Sequence, residues 1–171
     1  GYGRSWKRFS TEEKQGIIQK KDPDWTRCTC IAGKLGIYIH IPFCRSKCDY
    51  CDFYSLAGRE GRMDDYQKAL VAHIRETGLL ARGHQVDTIY FGGGTPSYYG
   101  EKRLRELLGE VCRRFDVARD AEVTVECNPD SVEKKMLCRL RRAGVNRISL
   151  GVQSCCDRDL EGLHRPHTFA Q

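Results

Sequence analysis

Three cysteines, Cys44, Cys48 and Cys51, stand together in the spacing C-x3-C-x2-C. They follow an apolar and aromatic run, Tyr38-Ile39-His40-Ile41-Pro42-Phe43, and the next two residues are Asp52 and Phe53 rather than a fourth thiol. A structural zinc site normally shows paired C-x2-C elements and four ligands. A cubane iron–sulfur cluster takes four thiolates, so three would leave one iron open to an exogenous ligand, and an open position at a metal signals chemistry. By spacing alone, a cluster, a zinc ion and unligated thiols all stay open.

Further along, Gly92-Gly93-Gly94-Thr95-Pro96 follows the run Thr88-Ile89-Tyr90-Phe91. Consecutive glycines let a backbone approach a ligand closely, and no Gly-Lys-Ser/Thr of a phosphate loop follows. The segment reads either as a cradle for a charged small molecule or as a tight turn before a helix. Glu126 stands near the end of a third apolar run, an expensive place for an unpaired carboxylate. It either accepts hydrogen bonds from a ligand ammonium or ribose, or pairs with an arginine. Gln153 and Arg165 lie in later polar segments, each also explicable as loop or surface. His73, His164 and His167 show no metal spacing.

These residues need elements to hold them. From Gly36 onward a short β-branched or aromatic run, a Gly- or Cys-rich loop and a helical period repeat four times. The runs 37–41, 88–91, 122–127 and Arg147–Leu150 are apolar enough for buried parallel strands. Helices are expected over 64–80, carrying Tyr66, Leu70 and Ile74 inward; over 102–115, on Leu104, Leu107, Leu108, Val111 and Phe115; and over 131–143, on Met136, Leu137 and Leu140. Asp130 with Glu133 reads as a capping box, and Gly144 as the residue that ends the last helix. Such alternation implies a parallel α/β sheet, open or curving toward a barrel, whose active site lies on the loops after the carboxyl ends of the strands. All four unusual segments fall in those loops, which is the strongest sign from residues alone that they form one site.

The 171 residues, 40% hydrophobic and 30% charged, allow a real core and exclude disorder, collagen and coiled coil. No stretch approaches the roughly 20 apolar residues of a membrane span. The ten cysteines are therefore expected to be reduced, in a cytoplasmic setting where clustered thiols hold metal or do redox work. Of the net charge of +6, most sits in residues 1–34, with eight Lys/Arg against four Asp/Glu. The arginines of 102–147 alternate with acids like solvated helix faces, so nucleic acid is not an expected partner. Residues 1–35 read as a basic extension, in which Cys28 and Cys30 are either added ligands of a metal site or, the favoured reading, two incidental thiols, and 36–171 as the functional core.

Taken together, the segments from Tyr38 to Phe53, Gly92 to Ser97, Glu126 to Pro129, Leu150 to Ser154 and Arg165 to Thr168 resemble the radical S-adenosylmethionine superfamily, and within it the oxygen-independent coproporphyrinogen III oxidase (HemN) and haem chaperone (HemW) family. The resemblance covers about residues 36–171. It implies a 4Fe-4S cluster on Cys44, Cys48 and Cys51, with the amino and carboxylate groups of S-adenosylmethionine on the open iron. An electron from the cluster would then release methionine and a 5′-deoxyadenosyl radical. It further implies that Tyr38 and Tyr50 lie at the cofactor site, that Gly93, Gly94 and Thr95 contact the methionine part, and that Glu126, Gln153 and Arg165 complete the pocket. His40 belongs to the motif without an assigned role.

The implied partners are haem or a porphyrin and an electron donor for the cluster. The decarboxylating oxidases carry a further cysteine as C-x2-C-x-C, whereas Cys51-Asp52-Phe53 here is the pattern of the haem-chaperone branch. A true oxidase is the alternative within the family, and a non-catalytic zinc module the alternative outside it. Cys127 and Cys155 replace small or aromatic residues and read as packing thiols; His164 stands where glycine is common. The implied fold is the N-terminal portion of a partial (β/α)6 TIM-like barrel. Four units of about 34 residues fill 36–171, whereas a closed barrel needs well over roughly 200, so a truncated barrel is expected.

Overall fold

The computed structural model describes residues 33–171. The expectations for residues 1–32, Cys28 and Cys30 among them, lie outside the described residues. The strands are β1 (Lys34–Ile41), β2 (Phe43–Cys44), β3 (Leu56–Ala57), β4 (Gln85–Gly93), β5 (Asp116–Cys127) and β6 (Arg147–Leu150). The helices are α1 (Met63–Leu80), α2 (Pro96–Tyr99), α3 (Glu101–Arg114), α4 (Lys134–Ala143) and α5 (Asp157–Gly162). The first strand thus begins at Lys34, two residues ahead of the expected boundary.

The main sheet runs β1-β4-β5-β6, every neighbouring pair parallel. Each strand joins beside its predecessor in the chain, so the order never reverses. That is the progression of a barrel, not of a doubly wound sheet with its switch point. β2 and β3 form a separate two-stranded parallel ladder that the sequence pattern did not announce.

Alternation along the strands divides the sheet into two faces. One face turns Ile39, Ile41, Ile89, Phe91, Val123 and Val125 toward Leu104, Leu107, Leu108 and Val111 of α3 and Leu140 of α4, and this is the core. The opposite face is polar and aromatic. Across it Tyr38 stands beside Tyr90, Tyr90 beside Thr124, and Thr124 beside Arg147. No helix among the described residues is long and apolar enough to cross a membrane.

Gly144 ends α4 as expected, with φ of 114° and its N–H donated to the carbonyls of Leu140 and Arg141. The capping box does not form. Pro129–Ser131 make a short 3-10 turn and Val132 and Glu133 are extended, so the helix starts only at Lys134 and no side chain caps it.

The reading of the arginines as solvated faces is also corrected in part. Arg75 Nε and Arg114 Nε donate to Glu110 Oε1 at 2.8 and 2.9 Å, and Arg113 Nη2 donates to Oε2 at 2.6 Å. The Glu110 side chain is only 4% exposed, so three guanidinium groups neutralise a carboxylate locked between α1 and α3. Those hydrogen bonds hold its carboxyl down at about 2. A depressed carboxyl stabilises the fold above its ordinary value of 4.5 and loses that contribution as pH falls toward 2. Glu110→Gln is therefore expected to lower the thermal midpoint at neutral pH and to flatten its fall between those two pH values. Equal slopes for the two proteins in a pH series of thermal melts would reject this.

Candidate functional site

The carboxyl ends of the four sheet strands open onto one cleft of about 220 Å³. Cys44, Cys48, Tyr50 and Cys51 line it from the loop after β1; Gly93, Gly94 and Thr95 from the loop after β4; Glu126 and Asn128 from the end of β5; Ser149, Gly151, Gln153 and Arg165 from β6 and beyond. Ten of the eleven residues expected at a site are thus brought together. Tyr38 is the exception: it lies deeper on the polar face, 58% exposed, with its ring stacked on Tyr90 at 6.0 Å.

The glycines have structural reasons to be glycines. Gly93 has φ of +113°, and a Cβ on it would lie 2.5 Å from the His40 ring. A Cβ on Gly94 would lie 2.9 Å from the backbone of Ile41, Pro42 and Phe43. Hydrogen bonds from Gly94 N–H to the Ile41 carbonyl and from Thr95 N–H to the Phe43 carbonyl, each 2.8 Å, sew the two loops together. His40 braces this seam. Its Nδ1 accepts from the Tyr38 hydroxyl at 3.1 Å and its Nε2 donates to the Tyr54 carbonyl at 3.0 Å, which one neutral tautomer satisfies.

Among the described residues, Glu126 is not in an arginine pair. It accepts from the Tyr90 hydroxyl at 2.6 Å and from Gly93 N–H at 3.1 Å. The bond to Glu126, with burial added, raises the Tyr90 hydroxyl above its ordinary range. Arg165 lines the same cleft. Its Nη1 lies 3.4 Å from Cys48 Sγ and 3.3 Å from the Tyr50 hydroxyl, and its Nη2 donates to Asn128 Oδ1 at 3.0 Å and to the Gly151 carbonyl at 2.8 Å. Burial raises the Tyr50 hydroxyl, against the pull of Arg165. His164 adopts φ of 50°, the left-handed region that glycine favours, and its Nδ1 meets Asp49 Oδ2 at 2.7 Å. Gln153 is exposed at the rim with φ of 69°.

Among the described residues, no three His, Cys, Asp or Glu side chains converge closely enough to share one metal ion. The three thiols all line the cleft. Cys127 is buried, and burial pushes its thiol up to about 11, which fits the packing role expected of it. Cys155 is exposed instead, so the packing role expected there does not hold.

Sequence reasoning missed Asn128 and Ser149 as parts of the wall and Tyr90 as the anchor of Glu126. Strand alternation contains the signal for two of them: Tyr90 and Gly92 share a face on β4, and Ser149 is the register partner of Glu126.

The sequence matches the family described as the Radical SAM superfamily over residues 38–171. It is 46% identical over 134 residues to the heme chaperone HemW of Escherichia coli (strain K12), which covers 78% of this chain and 35% of that protein. It is 41% identical over 133 residues to the heme chaperone HemW of Bacillus subtilis (strain 168), at 76% and 35% coverage. Among solved structures it is similar to coproporphyrinogen III oxidase (HemN) from Escherichia coli, described as a radical SAM enzyme. That similarity has a TM-score of 0.76 and 30% identity over 83% of this chain and 33% of that one. The chain spans about a third of the length of these relatives.

The loop seam predicts opposite outcomes at two glycines. Gly94→Ala forces apart two backbones and is expected to cost about 1–3 kcal/mol. Gly109→Ala, in α3 with nothing nearer than the Arg113 guanidinium at 3.7 Å, should stabilise by about 0.5–1 kcal/mol. Denaturant titration checks both, and a neutral Gly94→Ala would contradict the seam.

Proposed function

Because the chain belongs to the radical SAM superfamily, we propose that it forms the cofactor-binding part of a HemW-like protein, with Cys44, Cys48 and Cys51 holding a 4Fe-4S cluster and the adjoining cleft holding S-adenosylmethionine. One observation carries the reading: three thiols, the glycine loop, a carboxylate and a guanidinium line one cleft at the ends of four successive parallel strands. The donor set fits the group, since three thiolates suit a cluster with one iron left for an outside ligand. When bound, the pair of cofactors supplies one-electron cleavage of the sulfonium.

The chain's own residues bind and orient. Glu126, anchored by Tyr90 and Gly93, is set to accept from a ligand ammonium or ribose hydroxyl. Arg165 sets a positive charge beside Cys48, where a ligand carboxylate would need a partner. Gly93, Gly94 and Thr95 present backbone to the methionine part, Tyr50 and Gln153 close the rim, and Tyr38 supports the pocket floor through His40 and Tyr90. The free thiols of the site suit a reducing, cytoplasmic setting.

Haem binding follows from likeness to proteins named heme chaperones and from Phe53 in place of the oxidases' fourth cysteine. An electron donor is the second partner the cluster requires. The bare platform shared with HemN supports oxidase chemistry less well, because Asp52 and Phe53 offer no thiol.

Anaerobic reconstitution with iron and sulfide tests the cluster. About four irons per chain, the absorbance of an iron–sulfur cluster and a paramagnetic signal on reduction are expected. Cys48→Ala should lose all three while keeping its far-ultraviolet dichroism. Iron binding undiminished in that variant would remove Cys48 from the ligand set, and stable zinc without colour in the parent chain would favour a zinc module.

A further inference from the structure

The turn after β5 carries two side chains that grip the two flanks of Cys44. On one flank, Asn128 Nδ2 donates to Thr95 Oγ1 at 3.4 Å, and Thr95 Oγ1 donates to Cys44 Sγ at 3.4 Å. On the other flank stands Asp130, whose carboxylate lies 3.4 Å from Arg45 Nη1. Arg45 is the residue that follows Cys44, so a hold on its guanidinium is a hold on the start of the cysteine loop.

The Asp130 side chain is only 5% exposed, whereas Arg45 is 56% exposed. A carboxylate buried this far costs folding free energy unless its partners repay it. Asp130 is repaid only in part, since its Oδ1 is buried and has no hydrogen-bond partner among the described residues. Asp130 also borders a cavity of about 10 Å³ shared with Cys48 and Thr95, room for a single water. Arg45 in turn lies over the Tyr98 ring, 5.8 Å from its centroid, and the Tyr98 hydroxyl donates to Glu60. Glu60, Tyr98, Arg45 and Asp130 thus form a charged chain across the back of the cysteine loop. It links the turn before α1, helix α2 and the turn after β5.

On the reading that the three thiols hold a cluster, we propose that Asp130 is a positioning residue for Cys44, acting through Arg45. A buried charge kept for stability alone would be better satisfied than this one. Its one cation among the described residues belongs to the loop that carries the thiols, and Asn128, two residues away, reaches the same cysteine by a separate route.

The test uses the whole chain, first without metal. Asp130→Asn and Arg45→Met should each speed amide hydrogen exchange in residues 44–48 by about fivefold, with the double variant no faster than either, as expected when two residues share one interaction. Amides of β1 and β4 should keep their rates, which separates loop positioning from general destabilisation. Arg45→Lys, which keeps the charge, should recover part of the protection. In reconstituted protein the same variants should keep their iron but change the line shape of the reduced cluster's paramagnetic signal.

Unchanged exchange in Asp130→Asn, additive effects in the double variant, or an unaltered line shape in every variant overturns the proposal. Should Asp130→Asn not fold, Arg45→Met carries the exchange measurement, because Arg45 is largely in solvent. Failure of the parent chain to assemble a cluster would instead refute the functional reading, and the metal-free exchange data would still decide the positioning role.

Discussion

Two backbones meet at the ends of β1 and β4, and the site is built outward from that contact. Gly94 lies so close to Ile41, Pro42 and Phe43 that a methyl group would sit 2.9 Å from their backbone atoms. The approach lets the amides of Gly94 and Thr95 reach the Ile41 and Phe43 carbonyls. Those bonds bend the chain out of β1 into β2, which carries Cys44. On the far side of the cysteine loop, Leu56 N–H donates to the Pro42 carbonyl at 2.6 Å, so the loop is pinned at both ends. A loop closed by fixed ends has already lost much of the conformational freedom that binding would otherwise have to remove. The left-handed Gly93 follows from the same geometry, and its N–H turns toward Glu126.

Charge is laid over this backbone frame in opposite halves. Glu126 stands on the β5 side, tied to Tyr90 and Gly93; Arg165 comes from the last loop and binds Asn128 and Gly151. One carboxylate and one guanidinium thus line the same cleft, each held in place by neutral partners. Arg165 does structural work as well. One guanidinium joins the turn after β5 to the loop after β6, while its Nε, buried and without a partner among the described residues, keeps a donor in reserve. The contact between His164 and Asp49 adds a second tie between that loop and the cysteines.

Much of this was legible because it obeys short-range rules. Strand runs, helix stripes, the Gly144 terminus and the collection of motifs on one rim follow from periodicity and from where loops fall in a parallel sheet. What escaped depends on pairing between distant segments. Nothing local in Glu110 says that Arg75 lies opposite, since α1 and α3 are far apart in sequence and come together only in the fold. The β2–β3 ladder is two residues long on each side and has no pattern of its own. Asp130 looked like a helix cap because the spacing to Glu133 is right, but Pro129 holds the chain in a 3-10 turn and hands that carboxylate to Arg45 instead. Tyr38 is expected at the cofactor site by resemblance, and alternation puts it on the polar face beside Tyr90, which holds Glu126.

By resemblance, the haem-chaperone branch differs from the oxidases at the position of Phe53, and the setting of that side chain explains how one platform could carry either residue. Phe53 is 69% exposed, and its carbonyl, not its ring, is held, by Lys47 Nζ at 3.0 Å. A cysteine there would displace no packed neighbour among the described residues, so the stability of the platform does not select the residue. The core that supports the cleft lies on the other face of the sheet, from Ile39 to Val125, out of reach of this exchange. The fold can therefore stay fixed while this residue changes. That accords with a TM-score of 0.76 to HemN at 30% identity beside 46% identity to HemW. An aromatic ring kept in solvent next to three thiols and the exposed Tyr54 has no packing reason within the described residues. Phe53 lines the cleft together with Cys44, Cys48 and Cys51, so it is open to whatever the cleft holds.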